Sequence, residues 1–330
     1  MNLKIVLIIL LALCLAGCSF AGIFQEATVP CNEMTSPTTQ SEVPPTIETA
    51  NSTEIPATPS ETEPDATFQT QTETVPAQVI VQPEPDNEDF VKVKTYIPDI
   101  VVDLPYSTEA NFTGQRIYEF SDVWLRYGTV KKLISVQEEL KQRGLYLKIW
   151  DGFRPPSAQF RLWDVCPDPT YVANPNNGFS SHSRGNTVDI TLVNADGREL
   201  VMPTGFDDFS KLADRDYSDC SGEAAANAML LEELMVKHGF KPYAGEWWHF
   251  SDTQAYPVEQ EFEPVEEQLC FADCNEFISL RRKPDMSAEV ITKILSGERI
   301  RMVANYGDFA LVEYNDLFGY VLTDYIQPIM

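Results

Sequence analysis

The chain has 330 residues, a formal net charge of -26 and three histidines, His182, His238 and His249. This length predicts two folded units with accessory segments. Because 50 acidic residues face only 24 basic ones, the composition argues against a nucleic-acid partner, whose phosphates require surfaces rich in Lys and Arg. Any chemistry that requires imidazole must use one of the three histidines.

The first residues have the pattern of an export signal. Lys4 precedes an apolar run over residues 5–16, which ends in Leu-Ala-Gly-Cys at Cys18. The run is too short for a transmembrane helix, which takes about 20 apolar residues. Its ending resembles the lipobox of bacterial lipoproteins, whose cysteine becomes the lipidated first residue of the mature chain. An ordinary signal peptide with a chance cysteine is the alternative.

The lipobox resemblance implies a signal peptide over residues 1–17 and lipidation of Cys18. It also implies export, with acyl chains anchoring the protein at the outer face of the bacterial cytoplasmic membrane. Residues 18–89 are rich in Thr, Pro, Glu, Ser and Gln, and they include 10 of the 23 prolines. Such a segment cannot bury enough apolar surface to offset its ordering entropy, so we expect a disordered tether.

A folded domain is predicted over residues 90–258. Strand-like alternation begins at Phe90, and apolar residues at helical spacing define the helices, with glycines as stop signals. Helices are predicted over Thr129–Arg143, Ser157–Val165 and Gly222–His238, and further strands over Leu145–Trp150 and Thr187–Val193. The irregular mixture of helices and strands predicts an α+β fold.

The chain changes character after residue 258. Residues 259–269 are acidic and contain Pro264, which predicts a linker. From residue 270 to 330, short β-rich runs alternate with turns such as Ser296-Gly297 and Asn315-Asp316. Regularly spaced short strands in such a short segment predict a small all-β barrel.

Two of the three histidines lie in segments that also carry carboxylates. Catalytic zinc takes three protein ligands from His and carboxylate side chains and leaves a position for water. His182, Asp189 and His249 supply such a set. Glu246, three residues before His249, is placed to take a proton from water and return it to a leaving amine.

Each of these residues also has a purely structural interpretation. Asp189 is alternatively an exposed strand residue, and His249 a core histidine beside Trp247-Trp248, a pair that is typical of a buried strand. His238 precedes a glycine at a predicted helix end, where imidazole interacts favourably with the last carbonyls, so we interpret it as structural.

The wider sequence carries five motifs in a recognisable order. They are Tyr106-Ser107-Thr108 with Asn111-Phe112-Thr113-Gly114, Trp150-Asp151-Gly152-Phe153-Arg154-Pro155, Ser180-x-His182-x-x-Gly185-x-x-x-Asp189, Phe206-Asp207, and Glu246-Trp247-Trp248-His249. Over about residues 90–256 the chain thereby resembles the zinc D-alanyl-D-alanine peptidases, specifically the D-Ala-D-Ala dipeptidase branch known from vancomycin resistance. One departure is Thr187, where the family usually has Ala.

The resemblance implies an α+β, hedgehog-like domain with a mixed or antiparallel sheet and flanking helices. It implies one Zn²⁺ bound by His182, Asp189 and His249, and Glu246 as general base and acid. It also implies one further catalytic residue and three substrate-binding residues. Arg154 would stabilise the oxyanion, Tyr106 and Asp207 would hold the free amino group of the dipeptide, and Ser180 would lie near its carboxylate.

The C-terminal region carries a second resemblance. Residues 275–281 and Phe318-Gly319-Tyr320-Val321 resemble the opening and closing strands of bacterial SH3-like domains, which often bind cell-wall peptides. A spacer or domain-packing role is the alternative. Export also makes disulfides possible. Pairing stays open among Cys31, Cys166, Cys220, Cys270 and Cys274, with Cys166 to Cys220 and Cys270 to Cys274 as candidate pairs.

The sequence therefore predicts a membrane-anchored zinc metallopeptidase that hydrolyses D-Ala-D-Ala to D-alanine at the cell surface. The expected partners are D-Ala-D-Ala or peptidoglycan-derived peptides, the membrane through the lipid anchor, and the cell wall through the SH3-like domain, with no nucleic acid. One alternative is a zinc D,D- or L,D-carboxypeptidase that trims longer peptidoglycan peptides. The other is a non-catalytic wall-binding lipoprotein.

Overall fold

The computed structural model describes residues 81–329. The predicted signal peptide, the lipidation site Cys18, Cys31 and the tether up to residue 80 lie outside the described residues. Within 81–329 the α-helices are α1 (Val93–Tyr96), α2 (Tyr127–Lys141), α3 (Pro156–Val165) and α4 (Gly222–Lys237). No helix in this part of the chain is both long and apolar enough to cross a membrane.

The first seven strands belong to the N-terminal region. They are β1 (Phe90–Lys92), β2 (Val101–Val102), β3 (Trp124–Arg126), β4 (Leu145–Asp151), β5 (Thr187–Asn194), β6 (Phe240–Pro242) and β7 (His249–Asp252). Five of them form a mixed sheet in the order β2-β4-β5-β7-β6, in which only the β2–β4 pair is parallel. β1 and β3 form a separate antiparallel pair.

Helix α2 shows why the predicted helices form. Its buried side chains, Val130, Leu133, Val136 and Leu140, recur three or four residues apart, so one face packs on the sheet. Each such burial contributes about 2 kcal/mol. The chain turns away at Gly144, whose φ of 71° is the left-handed conformation that glycine adopts without strain.

The C-terminal region is all-β. Its strands are β8 (Phe262–Ala272), β9 (Phe277–Arg281), β10 (Val290–Leu295), β11 (Arg299–Tyr306), β12 (Phe309–Tyr314), β13 (Leu317–Leu322) and β14 (Ile326–Pro328). They form one antiparallel sheet in the order β10-β9-β13-β12-β11-β8-β14. The predicted α+β class, with an all-β region at the C-terminus, is confirmed.

Most of the predicted linker over residues 259–269 is instead strand β8. Phe262 pairs with Tyr306 and Phe271 with Arg299 along β11. Pro264 pairs with Ala304 of β11 on one side, while its other side has no partner strand, because β14 pairs with β8 only from residue 270 onward. Within sheets, proline is confined to such edge positions. The acidic side chains within β8, Glu263, Glu266 and Glu267, are partly or fully exposed, whereas Glu259 before the strand is buried.

The end of the predicted tether also differs from expectation, because residues 82–89 contact the C-terminal sheet. Gln82 accepts a hydrogen bond from the backbone N–H of Phe318 (2.7 Å) and donates one to its carbonyl (3.3 Å). Asp86 lies 3.2 Å from Arg282 and 2.7 Å from Lys283. The composition of this segment could not show these contacts, since the basic partners lie almost 200 residues away in sequence.

Apolar side chains form separate cores in the two regions and a third cluster where the regions meet. This junction cluster contains Phe90, Trp124 and Phe153 from the N-terminal region and Phe262 and Tyr320 from the C-terminal sheet. The rings of Phe90 and Phe262 stack at 4.3 Å between centroids and 5° between planes. The junction is therefore packed like an interior.

Candidate active site

Three potential metal ligands meet at one end of β5 and β7. His182 lies in a 3-10 helix over Ser181–Arg184, just before β5, while Asp189 on β5 pairs directly with His249, the first residue of β7. His249 Nδ1 lies 3.0 Å from Asp189 Oδ1 and 3.3 Å from His182 Nε2. His182 Nε2 lies 3.4 Å from Asp189 Oδ2. The structure therefore brings together the three residues that the sequence singled out.

These separations fit a tetrahedral zinc ion. With bonds of about 2.0 to 2.1 Å, two ligand atoms of such an ion lie about 3.3 Å apart. His182 Nδ1 donates to the carbonyl of Gly152 (2.8 Å), which leaves a lone pair on Nε2 facing the other two ligands. A cation bound between His182 Nε2, His249 Nδ1 and the Asp189 carboxylate would accept a lone pair from each of these three groups.

The charge state of Asp189 also suits a metal ligand. Burial alone would raise the pKa of its carboxyl, but the imidazoles of His182 and His249 outweigh burial and hold that pKa well below its usual value. Ser181 Oγ lies 3.3 Å from His249 Nε2 and so engages the ring nitrogen that faces away from Asp189. Ser181 was not predicted, although it stands between two residues of the motif.

Glu246 lies beside this cluster, with its Oε2 3.5 Å from His249 Nδ1. The side chain is 27% exposed, and burial, reinforced by the charge of Asp189, raises its pKa. A carboxylate with a raised pKa is a better base at neutral pH than an ordinary one. The following Trp247-Trp248 pair, predicted as strand, is fully buried but lies in the turn that leads into β7.

Arg215 stabilises the turn around Glu246 by binding backbone carbonyls on both sides of that residue. Its Nε donates to the carbonyl of Tyr243 (2.7 Å) and its Nη2 to that of His249 (3.0 Å), while Nη1 lies 2.9 Å from Glu232. The backbone N–H of Trp247 is bound in turn by the carbonyl of Ala213 (2.8 Å). Arg215 was not predicted, because two of its partners are backbone carbonyls and its carboxylate partner, Glu232, lies 17 residues away in sequence.

Arg154 follows β4, and its side chain is only 10% exposed. Nη2 donates to Asp151 (2.5 Å), Nη1 to Gln159 (3.1 Å) and Nε to the hydroxyl of Tyr118 (3.1 Å). These bonds use three of the five guanidinium N–H groups. The backbone N–H of Arg154 donates to the carbonyl of His182 (3.3 Å), so the backbone of Arg154 and the turn that carries His182 are directly linked.

Asp151 organises this part of the site and was not predicted as a site residue. Its carboxylate has no solvent exposure, accepts from Arg154, from the Tyr118 hydroxyl (2.6 Å) and from the N–H of Gly152 (2.8 Å), and lies 3.6 Å from His182 Nδ1. Burying a carboxylate is costly unless it is paired and hydrogen-bonded, and these contacts provide both. The available signal was an acid three residues before Arg154, at the end of a buried strand.

The predicted amine-binding residues contact each other. The Tyr106 hydroxyl donates to Asp207 Oδ2 (2.7 Å), and the Tyr106 ring lies 5.2 Å from the guanidinium carbon of Arg154. Burial raises the pKa of Asp207 well above its usual value, against the hydrogen bond from Tyr106. Asp207 has a φ of 54°, a left-handed conformation that aspartate tolerates better than most residues.

The structure gives the remaining predicted residues structural contacts. Ser180 Oγ accepts a hydrogen bond from the N–H of His182 (3.3 Å) and so caps the 3-10 helix. His238 directly follows Lys237, the last residue of α4, and so lies at the helix end as expected, but its ring contacts the Glu139 carboxylate (3.1 Å) instead of helix carbonyls. The family departure Thr187 is buried with its hydroxyl 2.9 Å from Ser251 Oγ.

The cysteines in the described part of the chain are all unpaired. Cys166, Cys220, Cys270 and Cys274 form no disulfide there, so neither candidate pair is present. Cys270 is buried in the C-terminal core, and burial raises the pKa of its thiol.

Comparison with known proteins agrees with this geometry. A family described as D-ala-D-ala dipeptidase matches residues 86–268, and a bacterial SH3 domain family matches residues 276–327. A D-alanyl-D-alanine dipeptidase of Escherichia coli (strain K12) is 35% identical over 175 residues, covering 52% of this chain and 90% of that protein. One of Enterococcus faecium is 32% identical over 180 residues, covering 47% and 89%.

A solved structure of VanYB in complex with D-alanine-D-alanine aligns over 40% of this chain and 73% of that chain, at 19% identity and a TM-score of 0.27. The family match extends over more than half of the chain and includes all the residues of the cluster described above. The chain is a zinc metallopeptidase that belongs to the D-Ala-D-Ala dipeptidase family and carries a bacterial SH3 domain at its C-terminal end.

Proposed function

We propose that this protein hydrolyses the dipeptide D-Ala-D-Ala to D-alanine at the outer face of the bacterial cytoplasmic membrane, in cell-wall peptide turnover. The observation that carries the proposal is the convergence of His182, Asp189 and His249 with Glu246 alongside. When bound by these three residues, zinc supplies a Lewis acid that polarises the scissile carbonyl and makes water a stronger nucleophile at neutral pH.

The protein groups divide the remaining chemistry. Glu246, with its raised pKa, takes the proton from the attacking water and delivers it to the leaving amine. Arg154 is held by Asp151, Gln159 and Tyr118 and keeps two N–H groups for other partners. Those donors stabilise the oxyanion, because a guanidinium stays charged and is already oriented before the reaction.

The protein selects its substrate through the residues that bind the amino end of the dipeptide. Asp207, bound by Tyr106, offers a carboxylate to a free ammonium group. Ser180 is proposed to contact the substrate carboxylate with its hydroxyl hydrogen, since its oxygen already accepts from His182. A substrate in which a peptide bond replaces the free ammonium group loses the charge that Asp207 recognises, which favours a free dipeptide over longer wall peptides.

The test is product release from D-Ala-D-Ala by the purified protein with zinc, measured as D-alanine. Glu246→Ala and His249→Ala should each abolish release, and unchanged turnover in either would refute the mechanism. Asp207→Ala separates the two peptidase functions, because it should severely impair dipeptide hydrolysis and hardly affect carboxypeptidase cleavage of longer peptides. Cleavage of muropeptides in preference to the dipeptide would support the carboxypeptidase alternative.

Placement at the membrane rests on the N-terminal sequence. Leu15-Ala16-Gly17-Cys18 supports lipidation of Cys18, and the composition of the tether supports a catalytic unit held away from the lipid. Membrane fractionation of the wild type and of Cys18→Ala tests this. The wild type should sediment with membranes and the variant should not, whereas equal distribution of the two would contradict the anchor.

A further inference from the structure

The turn that carries His182 is held through three consecutive backbone carbonyls. The carbonyl of Ser183 accepts from the N–H of Glu259 (2.8 Å), that of Arg184 from Arg126 Nε (3.2 Å), and that of Gly185 from the N–H of Arg126 (2.8 Å). Two residues that contact neither the three proposed ligands nor Glu246 thus fix the backbone on which His182 is mounted.

Arg126 and Glu259 are also bound to each other. Arg126 Nη2 lies 2.9 Å from Glu259 Oε2, and the two side chains are 8% and 10% exposed. Arg126 Nη1 donates to the carbonyl of Glu88 (2.6 Å), and the guanidinium lies 4.0 Å from the centroid of the Phe90 ring. The cost of desolvating a buried ion pair offsets much of its electrostatic attraction. The pair is therefore better explained by the backbone that it holds in place than by a gain in folding stability.

Glu259 continues this network into the C-terminal sheet. Its second oxygen, Oε1, accepts from the N–H groups of Gln260 (3.0 Å), Glu261 (2.9 Å) and Phe262 (3.3 Å), where β8 begins. One carboxylate therefore binds Arg126 with one oxygen, and with the other it binds the backbone that leads into the C-terminal sheet, as far as Phe262, the first residue of β8.

An aromatic contact supports the same turn from its other side. Phe262 stacks on Phe90, and the Phe90 ring lies against Gly185, where an added Cβ would stand 2.4 Å from the ring. Gly185 has a φ of 73°, so both its conformation and its surroundings require glycine. The turn is thus enclosed by residues that are themselves fixed by the C-terminal sheet.

We propose that Arg126 and Glu259 are positioning residues for the metal site and that they make the C-terminal sheet a structural part of it. They hold the His182 turn so that Nε2 faces Asp189 and His249. This inference rests on the proposed metal site, because the need to fix the turn arises from the geometry that zinc demands.

The primary variant is Glu259→Gln in the full chain. Glutamine keeps an oxygen for the three N–H groups but places an amide donor or a neutral oxygen opposite Arg126. The matched control is Glu199→Gln. It removes the charge of an exposed carboxylate that lies 2.8 Å from Lys148 and does not contact the His182 turn. Measurements are the zinc dissociation constant by chelator competition, kcat and KM for D-Ala-D-Ala at saturating zinc, and Tm without metal.

We expect Glu259→Gln to weaken zinc binding about 10-fold or more, since supporting partners of metal ligands typically contribute 10- to 100-fold. At saturating zinc, kcat should fall while KM stays near the wild-type value, because Tyr106 and Asp207 are untouched. Glu199→Gln should leave all three quantities unchanged. A wild-type zinc affinity in Glu259→Gln would overturn the proposal.

A double variant, Arg126→Met with Glu259→Gln, separates positioning from folding. Removing both charges leaves no unpaired buried ion, and glutamine keeps an oxygen for the three N–H groups, so the fold should survive with a metal-free Tm close to the wild type. Zinc binding should still be about 10-fold weaker, because the carbonyl of Arg184 has lost its donor. Wild-type affinity in this folded variant would overturn the proposal, and so would a loss of affinity fully accounted for by a lower metal-free Tm.

The wild type distinguishes this inference from the function on which it rests. If the wild-type protein binds zinc stoichiometrically and the variants bind equally well, only the positioning role fails. If the wild type binds no zinc, the proposed function fails and the positioning role falls with it.

Discussion

The substitution Asp151→Asn tests how the proposed oxyanion donor is held. In the wild type, Asp151 Oδ2 lies 2.5 Å from Arg154 Nη2, and neither side chain is more than 10% exposed. Asparagine preserves the shape and keeps Oδ1 for the Tyr118 hydroxyl and the Gly152 N–H. It places an NH₂ group against Nη2, however, so that two donors face each other where an ion pair stood.

The expected magnitudes follow from this burial. The other two side chains that bind Arg154, Tyr118 and Gln159, are neutral, so the guanidinium loses its direct counter-charge. Breaking a buried ion pair in this way typically costs about 3 to 5 kcal/mol of unfolding free energy. If the guanidinium also shifts, the stabilisation of the oxyanion is lost, and kcat should fall about 100-fold or more.

The assay compares Asp151→Asn, Arg154→Met and the double variant by urea unfolding and by D-alanine release. The double variant should regain most of the stability lost in Asp151→Asn, because no buried charge remains unpaired. Its kcat should be no lower than that of Arg154→Met, since the two residues act as one unit. If Asp151→Asn kept kcat within about threefold of the wild type, equivalent to less than 1 kcal/mol, the assigned role of Asp151 would be wrong.

Three further outcomes are expected. Thr187→Ala should lower the free energy of unfolding by about 1 to 2 kcal/mol in urea, because Ser251 loses its buried partner, and should leave kcat unchanged. Because burial raises the pKa of Asp207 to about 8, its carboxyl becomes protonated as pH falls below that value. KM for the dipeptide should therefore rise as pH is lowered from about 8 to about 6. Asp207→Asn should abolish this pH dependence. Chelation of the metal should lower Tm. A zinc concentration about 1,000 times the dissociation constant should then raise the free energy of unfolding by about 4 kcal/mol. A Tm that responds neither to chelation nor to added zinc would contradict the metal site.

The elements of the N-terminal region were largely predictable because their signals are local. The apolar spacing of Val130, Leu133, Val136 and Leu140 and the glycine that follows indicate α2 without any tertiary information. The candidate site was predictable for another reason. His182, Asp189 and His249 lie in two short motifs, and the structure brings those motifs together by pairing β5 with β7.

The residues that support the site could not be predicted in the same way. Arg126 and Glu259 are 133 positions apart, and nothing in either local sequence shows that they are buried together. The same limitation explains strand β8. An acidic segment with a proline is typical of a linker, and only the distant partner β11 makes it a strand.

The junction cluster of Phe90, Trp124, Phe153, Phe262 and Tyr320 bears on how such a protein can evolve. Fused domains are commonly exchanged between proteins when their boundary is an exposed linker with few contacts. Here, replacing the C-terminal sheet with another domain would uncover aromatic rings beside the Arg154 and Gly185 backbone. We therefore expect the two regions to be inherited together, and natural substitutions at Phe90 to be accompanied by changes at Phe262.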